Sequence, residues 1–163
     1  VSSDGTAVVR RLYEAYNSHD VDGVLACWKH GGREYLPLTG ELRVPEDLDA
    51  HLRGFFAAFP DARVQLESLL AAPDGRVASR ILLSGTFTGG RFDGLRANGR
   101  PWVARMSEFF TIEDGLIARM DVYMDVMDLA RQLGVLPPAD GPLEGVMRSA
   151  FNLRSAITWR PRP

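Results

Sequence analysis

The chain has 163 residues, 45% of them hydrophobic and 25% charged, which is enough for one domain with a sizeable core. A formal net charge of −2, with no basic stripe interleaved with aromatics, argues against a nucleic-acid partner, and no apolar run reaches membrane-spanning length. Cys27 is the single cysteine, so no internal disulfide can form; the opening Val1-Ser2-Ser3-Asp4-Gly5 has neither the charged nor the apolar region of a signal peptide, and a cytoplasmic location is the expectation.

Val8, Val9, Leu12, Tyr13 and Tyr16 recur at helical spacing and predict an amphipathic helix over residues 5–17. Asn17-Ser18-His19-Asp20 breaks it. Asp20 is placed to cap a second helix carrying Val21, Val24, Leu25 and Trp28 on one side, with Gly31-Gly32 as its end. A short extended piece follows over residues 34–38. Pro45, with Glu46 and Asp47 in the first turn, opens a third helix whose apolar face is Leu48, Leu52, Phe55, Phe56 and Phe59, and Pro60 stops it.

The period then changes to two. Val64, Leu66, Ser68 and Leu70 alternate with Arg63, Gln65, Glu67 and Leu69. Pro73-Asp74-Gly75 makes a turn, residues 77–88 form a long strand, and a Gly-rich loop reaches Leu95 and Asn98-Gly99. Residues 101–112 and 117–124 form two further strands joined by a Glu113-Asp114-Gly115 hairpin turn. Helices followed by an antiparallel meander predict an α+β domain. After residue 136 the composition changes. Pro137-Pro138 and Gly141-Pro142 mark a linker, and Leu143, Val146, Met147, Ala150 and Phe151 predict a short amphipathic helix. Arg148, Arg154, Arg160 and Arg162 make this end basic.

Gly85-Thr86-Phe87-Thr88-Gly89, Asn98-Gly99-Arg100, Glu113-Asp114-Gly115-Leu116-Ile117 and Gln132-Leu133-Gly134, with Phe59-Pro60-Asp61 upstream, resemble the motifs of the SnoaL-like polyketide cyclase family, part of the nuclear transport factor 2-like superfamily. The resemblance implies a SnoaL-like domain over residues 1–136 and a C-terminal extension over residues 137–163. It implies a cone-shaped α+β fold, with three N-terminal helices packed on a curved antiparallel sheet and a cavity between them. It also implies a homodimer paired through the convex sheet face.

The family places a histidine seven residues before the hairpin glycine and an acid/base aspartate about seven after it; counted from Gly115, those positions hold Glu108 and Val122. Glu108, among Met106, Phe110, Met120 and Val122, becomes the leading candidate for the catalytic acid/base, since poor solvation raises a carboxyl pKa towards neutrality. The opposing reading puts it on the outer face, paired with Arg105 or Arg119. Asp121 is the second candidate. It lies one residue from the expected aspartate, and a one-residue step changes sheet face unless a bulge intervenes. In the family's Gly-Thr-His-Thr-Gly the histidine is replaced here by Phe87. Arg80 reads as a structural ion pair. Steroid isomerases of the superfamily use a first-helix tyrosine and a first-strand aspartate, and counting puts Leu12 and Leu36 there, which argues against their chemistry.

The expected substrate-binding wall is Tyr16, Trp28, Tyr35, His51, Phe55, Phe59, Phe87, Met106, Phe110, Met120 and Val122, apolar with a few orienting groups. No ligand spacing among Cys27, His19, His30 and His51 supports a metal. No Gly-rich loop precedes a helix, so no cofactor is expected. The sequence reading is a cofactor-free cyclase or isomerase acting on a polyketide or similarly apolar natural product, as in antibiotic biosynthesis. The alternatives are an epoxide hydrolase or epoxide-opening cyclase, and a non-catalytic small-molecule binder or accessory partner of another enzyme.

Overall fold

The computed structural model describes residues 4–158. In chain order its elements are α1 (Asp4–Asn17), α2 (Val21–Leu25), β1 (Trp28–Leu36), β2 (Gly40–Arg43), α3 (Glu46–Ala58), β3 (Arg63–Ala71), β4 (Val77–Thr86), β5 (Arg91–Phe92), β6 (Leu95–Arg96), β7 (Pro101–Glu113), β8 (Leu116–Met124), α4 (Val126–Gln132) and α5 (Pro142–Thr158). Six strands form one curved sheet in the order β2-β1-β8-β7-β4-β3, and β5 and β6 form a separate small hairpin. Each neighbouring pair in the large sheet is antiparallel except β1 and β8, which run parallel. The fold is α+β, with the N-terminal helices on the concave face, as the sequence implied.

Strand β7 shows why the sheet has one inner face. Trp102, Ala104, Met106, Glu108 and Phe110 are buried, while Val103, Arg105, Ser107 and Phe109 between them are exposed. Across the hairpin, Glu108 faces Val122 and Phe110 faces Met120. The register shifts between Thr111 and Ile112, leaving Ala118 as the extra residue of a bulge in β8. That bulge sets the parity of the strand. Counting by twos from buried Ile117 would bring Asp121 inward; the extra residue instead turns Met120 and Val122 inward and Asp121 outward.

The second helix is shorter than its spacing predicts. It ends at Leu25, and Trp28 already belongs to β1. Gly31 and Gly32 do not terminate a helix but continue the ladder, Gly31 N donating to Val44 O and Val44 N to Gly32 O, both at 2.9 Å. Gly31 has φ +78°, which a glycine adopts without strain, and the irregular register between Trp28 and Arg33 hides the strand period.

The recurring motifs turn out to be fastenings. Asp61 accepts from Thr86 N and Thr86 Oγ1, each at 2.7 Å, closing the Phe59-Pro60-Asp61 corner onto β4. A Cβ on Gly89 would lie 1.8 Å from Ala57 O, so only glycine lets this loop pass α3. Asn98 Nδ2 donates to Leu133 O at 2.8 Å, and Gln132 brackets Val103 at 2.8 and 3.0 Å, which ties α4 to β7.

Helix α5 is longer than the short helix expected. Leu143, Val146, Met147, Phe151 and Leu153 stay exposed on it, and Arg131 reaches Glu144 at 3.1 Å from α4. Of the basic residues expected here, Arg160 and Arg162 lie outside the described residues, as do Val1, Ser2 and Ser3. Among the described residues no helix is long and apolar enough to cross a membrane.

Candidate active site

Between the concave face and α1–α3 lies a cavity of about 640 Å³, closed at its rim by α4 and the β5–β6 hairpin. Tyr16, Trp28, His51, Phe55, Phe59, Met106, Met120 and Val122 line it, together with Glu108. Three residues expected in the wall stand elsewhere. Phe87 is fully buried and packs behind Phe59, with ring centroids 5.0 Å apart. Phe110 shares the face of Glu108 but is enclosed in the core beyond the cavity end. Tyr35 falls on the outer face because the next residue before it, Glu34, points inward. Asp121 is also on the outer face, opposite Phe109, where both its oxygens accept from Arg119 at 2.7 and 3.0 Å. Arg80 pairs with Glu67 at 2.9 Å, away from the cavity.

Glu108 is 3% exposed and sits where three elements meet. Tyr13 of α1 donates its hydroxyl to Oε2, and Ser79 of β4 donates to the same oxygen at 2.8 Å. The two hydroxyl oxygens are themselves 2.6 Å apart. Burial dominates and leaves the Glu108 pKa above the ordinary glutamate value, while the bonds from Tyr13 and Ser79 pull in the opposite direction. Both hydroxyls converge on Oε2, and neither occupies Oε1.

A second carboxyl faces the same space. Glu34, 8% exposed, lines the cavity from β1. Burial, and then the charge of Glu108, push its pKa up to about 8. The Tyr16 hydroxyl is held well above its usual range by burial and then by Glu34 and Glu108. At the rim, burial lowers the His51 pKa against the opposing pull of Asp93. Neither lysine nor arginine is among the described residues lining this cavity. The indole Nε1 atoms of Trp28 and Trp102, both in the lining, are buried without a hydrogen-bond partner.

Tyr13, Ser79 and Glu34 escaped the sequence reading. Counting for the steroid-isomerase pair reached Leu12 and Leu36, and both do line the cavity. The polar groups are their neighbours, Tyr13 one residue on and Glu34 one step back along the same strand face. A usable signal existed: Glu34 shares the inward register of Leu36, and Ser79 lies between Val77 and Ile81 in a strand whose inward positions are otherwise apolar. Among the described residues no group of His, Cys, Asp and Glu is placed to hold a metal ion.

The fold is shared with solved bacterial proteins. AclR from Streptomyces galilaeus, a proposed hydroxylase, is 24% identical, with 98% of this chain and 100% of AclR covered at a TM-score of 0.74. TsrD from Streptomyces laurentii is 28% identical, with 83% and 98% covered at 0.72. IdmH from Streptomyces antibioticus, a proposed polyketide cyclase, is 24% identical, with 80% and 98% covered at 0.68. No match was found among curated proteins. The family model described as SnoaL-like polyketide cyclase matches residues 6–133. With this motif set and a cone-shaped cavity behind it, the chain belongs to the SnoaL-like polyketide cyclase family.

Proposed function

We propose that this protein catalyses ring closure or isomerisation of an uncharged, apolar polyketide-like substrate, with Glu108 as the general base. The observation that carries this reading is Glu108 itself, a carboxyl on the wall of an apolar cavity, held by Tyr13 and Ser79 through one oxygen only. Those two bonds favour its ionised form inside a medium that otherwise disfavours charge. Oε1 is then the atom that takes a proton from a carbon next to a carbonyl. The carbon so activated attacks a second carbonyl of the same molecule. The cavity contributes by holding the folded conformer in which the two carbons meet.

The lining supports an uncharged substrate. Glu34, Glu108 and Asp93 are all acids, no lysine or arginine stands among the described residues of the wall to balance an anion, and burial disfavours the charged form of its one described histidine, His51. An epoxide-opening reaction would use the same groups but is favoured by no separate observation.

Glu108→Gln keeps the shape and removes proton transfer. Turnover of a linear poly-β-ketone ester is expected to fall by about a hundredfold or more with the substrate Kd nearly unchanged. Unchanged turnover would leave Glu108 a structural residue, and the cavity would then serve binding rather than catalysis.

The chain is further read as a homodimer. Support comes from the outer sheet face, where Val103, Phe109 and Tyr123 are exposed around the Arg119–Asp121 pair.

A further inference from the structure

We propose that Glu34 is a second catalytic residue, the proton donor that works in the same cavity as Glu108. The inference rests on the reading of this cavity as an acid–base site.

The placement is fixed by the sheet. β1, β8 and β7 are successive neighbours, with Glu34 in register with Met120 and Glu108 in register with Val122. Both carboxyls therefore leave the concave face within one turn of the pleat on adjacent inward rows. Both line the same cavity from this one sheet face, with a single strand, β8, between them and with Tyr16 of α1 influenced by both.

The two carboxyls differ in what they touch. Glu108 takes two hydroxyl donors. Glu34 accepts no hydrogen bond from any described residue and pairs with no cation, although it is more than nine-tenths buried. A buried carboxyl with no donor and no counter-ion is tolerated as the neutral acid. The O–H of that acid has no acceptor in the protein and faces the cavity. Packing does not explain its presence, because the other inward residues of the strand and its neighbour, Trp28, Leu36 and Met120, are apolar and a leucine or methionine would fill the space without cost. An oxygen of the substrate is the partner this group lacks.

The chemistry balances. Glu108 Oε1 takes the proton from the carbon, the C–H electron pair becomes the C=C bond, and the π pair of the adjacent carbonyl moves onto its oxygen. That oxygen takes the proton of Glu34, giving a neutral enol and a Glu34 carboxylate. The enol carbon then bonds to the second carbonyl carbon. As the first carbonyl re-forms, its proton returns to Glu34, and the new alkoxide takes the proton held by Glu108. One C–C bond is formed, one C=O becomes C–OH, and both carboxyls end as they began. The site carries one negative charge throughout, first on Glu108 and then on Glu34, so that charge never has to rest on the substrate oxygen.

The test has two readouts. In the first, protein labelled with ¹³C at the glutamate side-chain carboxyl is titrated by NMR. One carboxyl carbon is expected to change with a midpoint near 8, far above the surface glutamates, and to be missing from the Glu34→Gln spectrum. This needs no substrate. In the second, exchange of the α-hydrogens of 2-tetralone, a neutral bicyclic ketone, is followed in D₂O. Wild-type exchange should fall on the alkaline side as Glu34 loses its proton. Glu34→Gln should lower the neutral-pH rate by about a hundredfold and abolish that alkaline limb. An ordinary carboxyl midpoint for Glu34, or an alkaline limb that survives Glu34→Gln, overturns the proposal. Loss of exchange in Glu108→Gln with full exchange in Glu34→Gln overturns it as well, while leaving Glu108 as the base.

Discussion

Ser79 and Glu108 face each other across β4 and β7, and the serine hydroxyl donates to the carboxylate at 2.8 Å. The pair is a register contact, so the proposed base is held by the sheet itself, and only the Tyr13 bond depends on how α1 docks. The two donors should therefore be separable. Both lower the Glu108 pKa, so removing either lets burial raise it further. Ser79→Ala and Tyr13→Phe are each expected to move the acidic limb of the turnover profile to higher pH, with neutral-pH turnover down about tenfold. A profile that does not move in either variant would detach these hydroxyls from the base.

Glu34 makes a prediction about stability. Its folded-state pKa, about 8 against the ordinary 4.5 of a glutamate, means that the native chain holds a proton which the unfolded chain has lost between those values. Folding stability should then fall as pH rises across this window and level off above it, by at most about 1.4 kcal/mol per pH unit. Glu34→Gln should remove most of this slope and be more stable than the wild type at alkaline pH. Urea unfolding at several pH values measures both.

Asp121 should be nearly silent. Its carboxylate is spent on an outward ion pair with Arg119, and such exposed pairs contribute roughly 0–1 kcal/mol. Asp121→Asn is expected to keep turnover within about twofold and stability within about 1 kcal/mol. A large loss of turnover would place a reacting group on the outer face.

Assembly is tested by mass. A homodimer sediments at twice the 18.0 kDa of the chain. Phe109 and Tyr123 stack edge to face, with centroids 5.9 Å apart on the exposed surface. Placing aspartate at both is expected to give monomers by removing the apolar part of that face. A wild-type chain that stays at 18.0 kDa at micromolar concentration refutes the dimer.

The order of elements was readable because helices α1 and α3 and strands β4 and β7 each bury one face with a clear period, whereas β3 and β8 keep it only in part: the register shifts after Leu66 and at Ala118, and Leu70, read as continuing the Val64–Leu66 face, is exposed. β1 was not, because Val21, Val24, Leu25 and Trp28 keep helical spacing across a boundary set by ladder bonds from Gly31 and Val44, which no local pattern encodes. The site was half readable. Glu108 stands out as a charged residue in an apolar row. Its partners do not, since Ser79 and Tyr13 are 29 and 95 positions away and meet it only through the sheet register and the docking of α1. Asp121 could not be assigned a face from sequence, because one extra residue at Ala118 decides it.

The stitches at Asp61–Thr86, Asn98–Leu133 and Gln132–Val103 hold the shell of the cone, and none of them touches Glu34 or Glu108. The motifs that carry the family resemblance are thus mechanically separate from the two carboxyls proposed to react. Phe87 can stand where relatives carry histidine, because Thr86 and Gly89 on either side of it serve only the closure of the shell. A lineage built this way can exchange its proton carriers one at a time while every seam remains intact. In this chain the seams are thus free of the inward side chains to which the reaction is assigned by proposal.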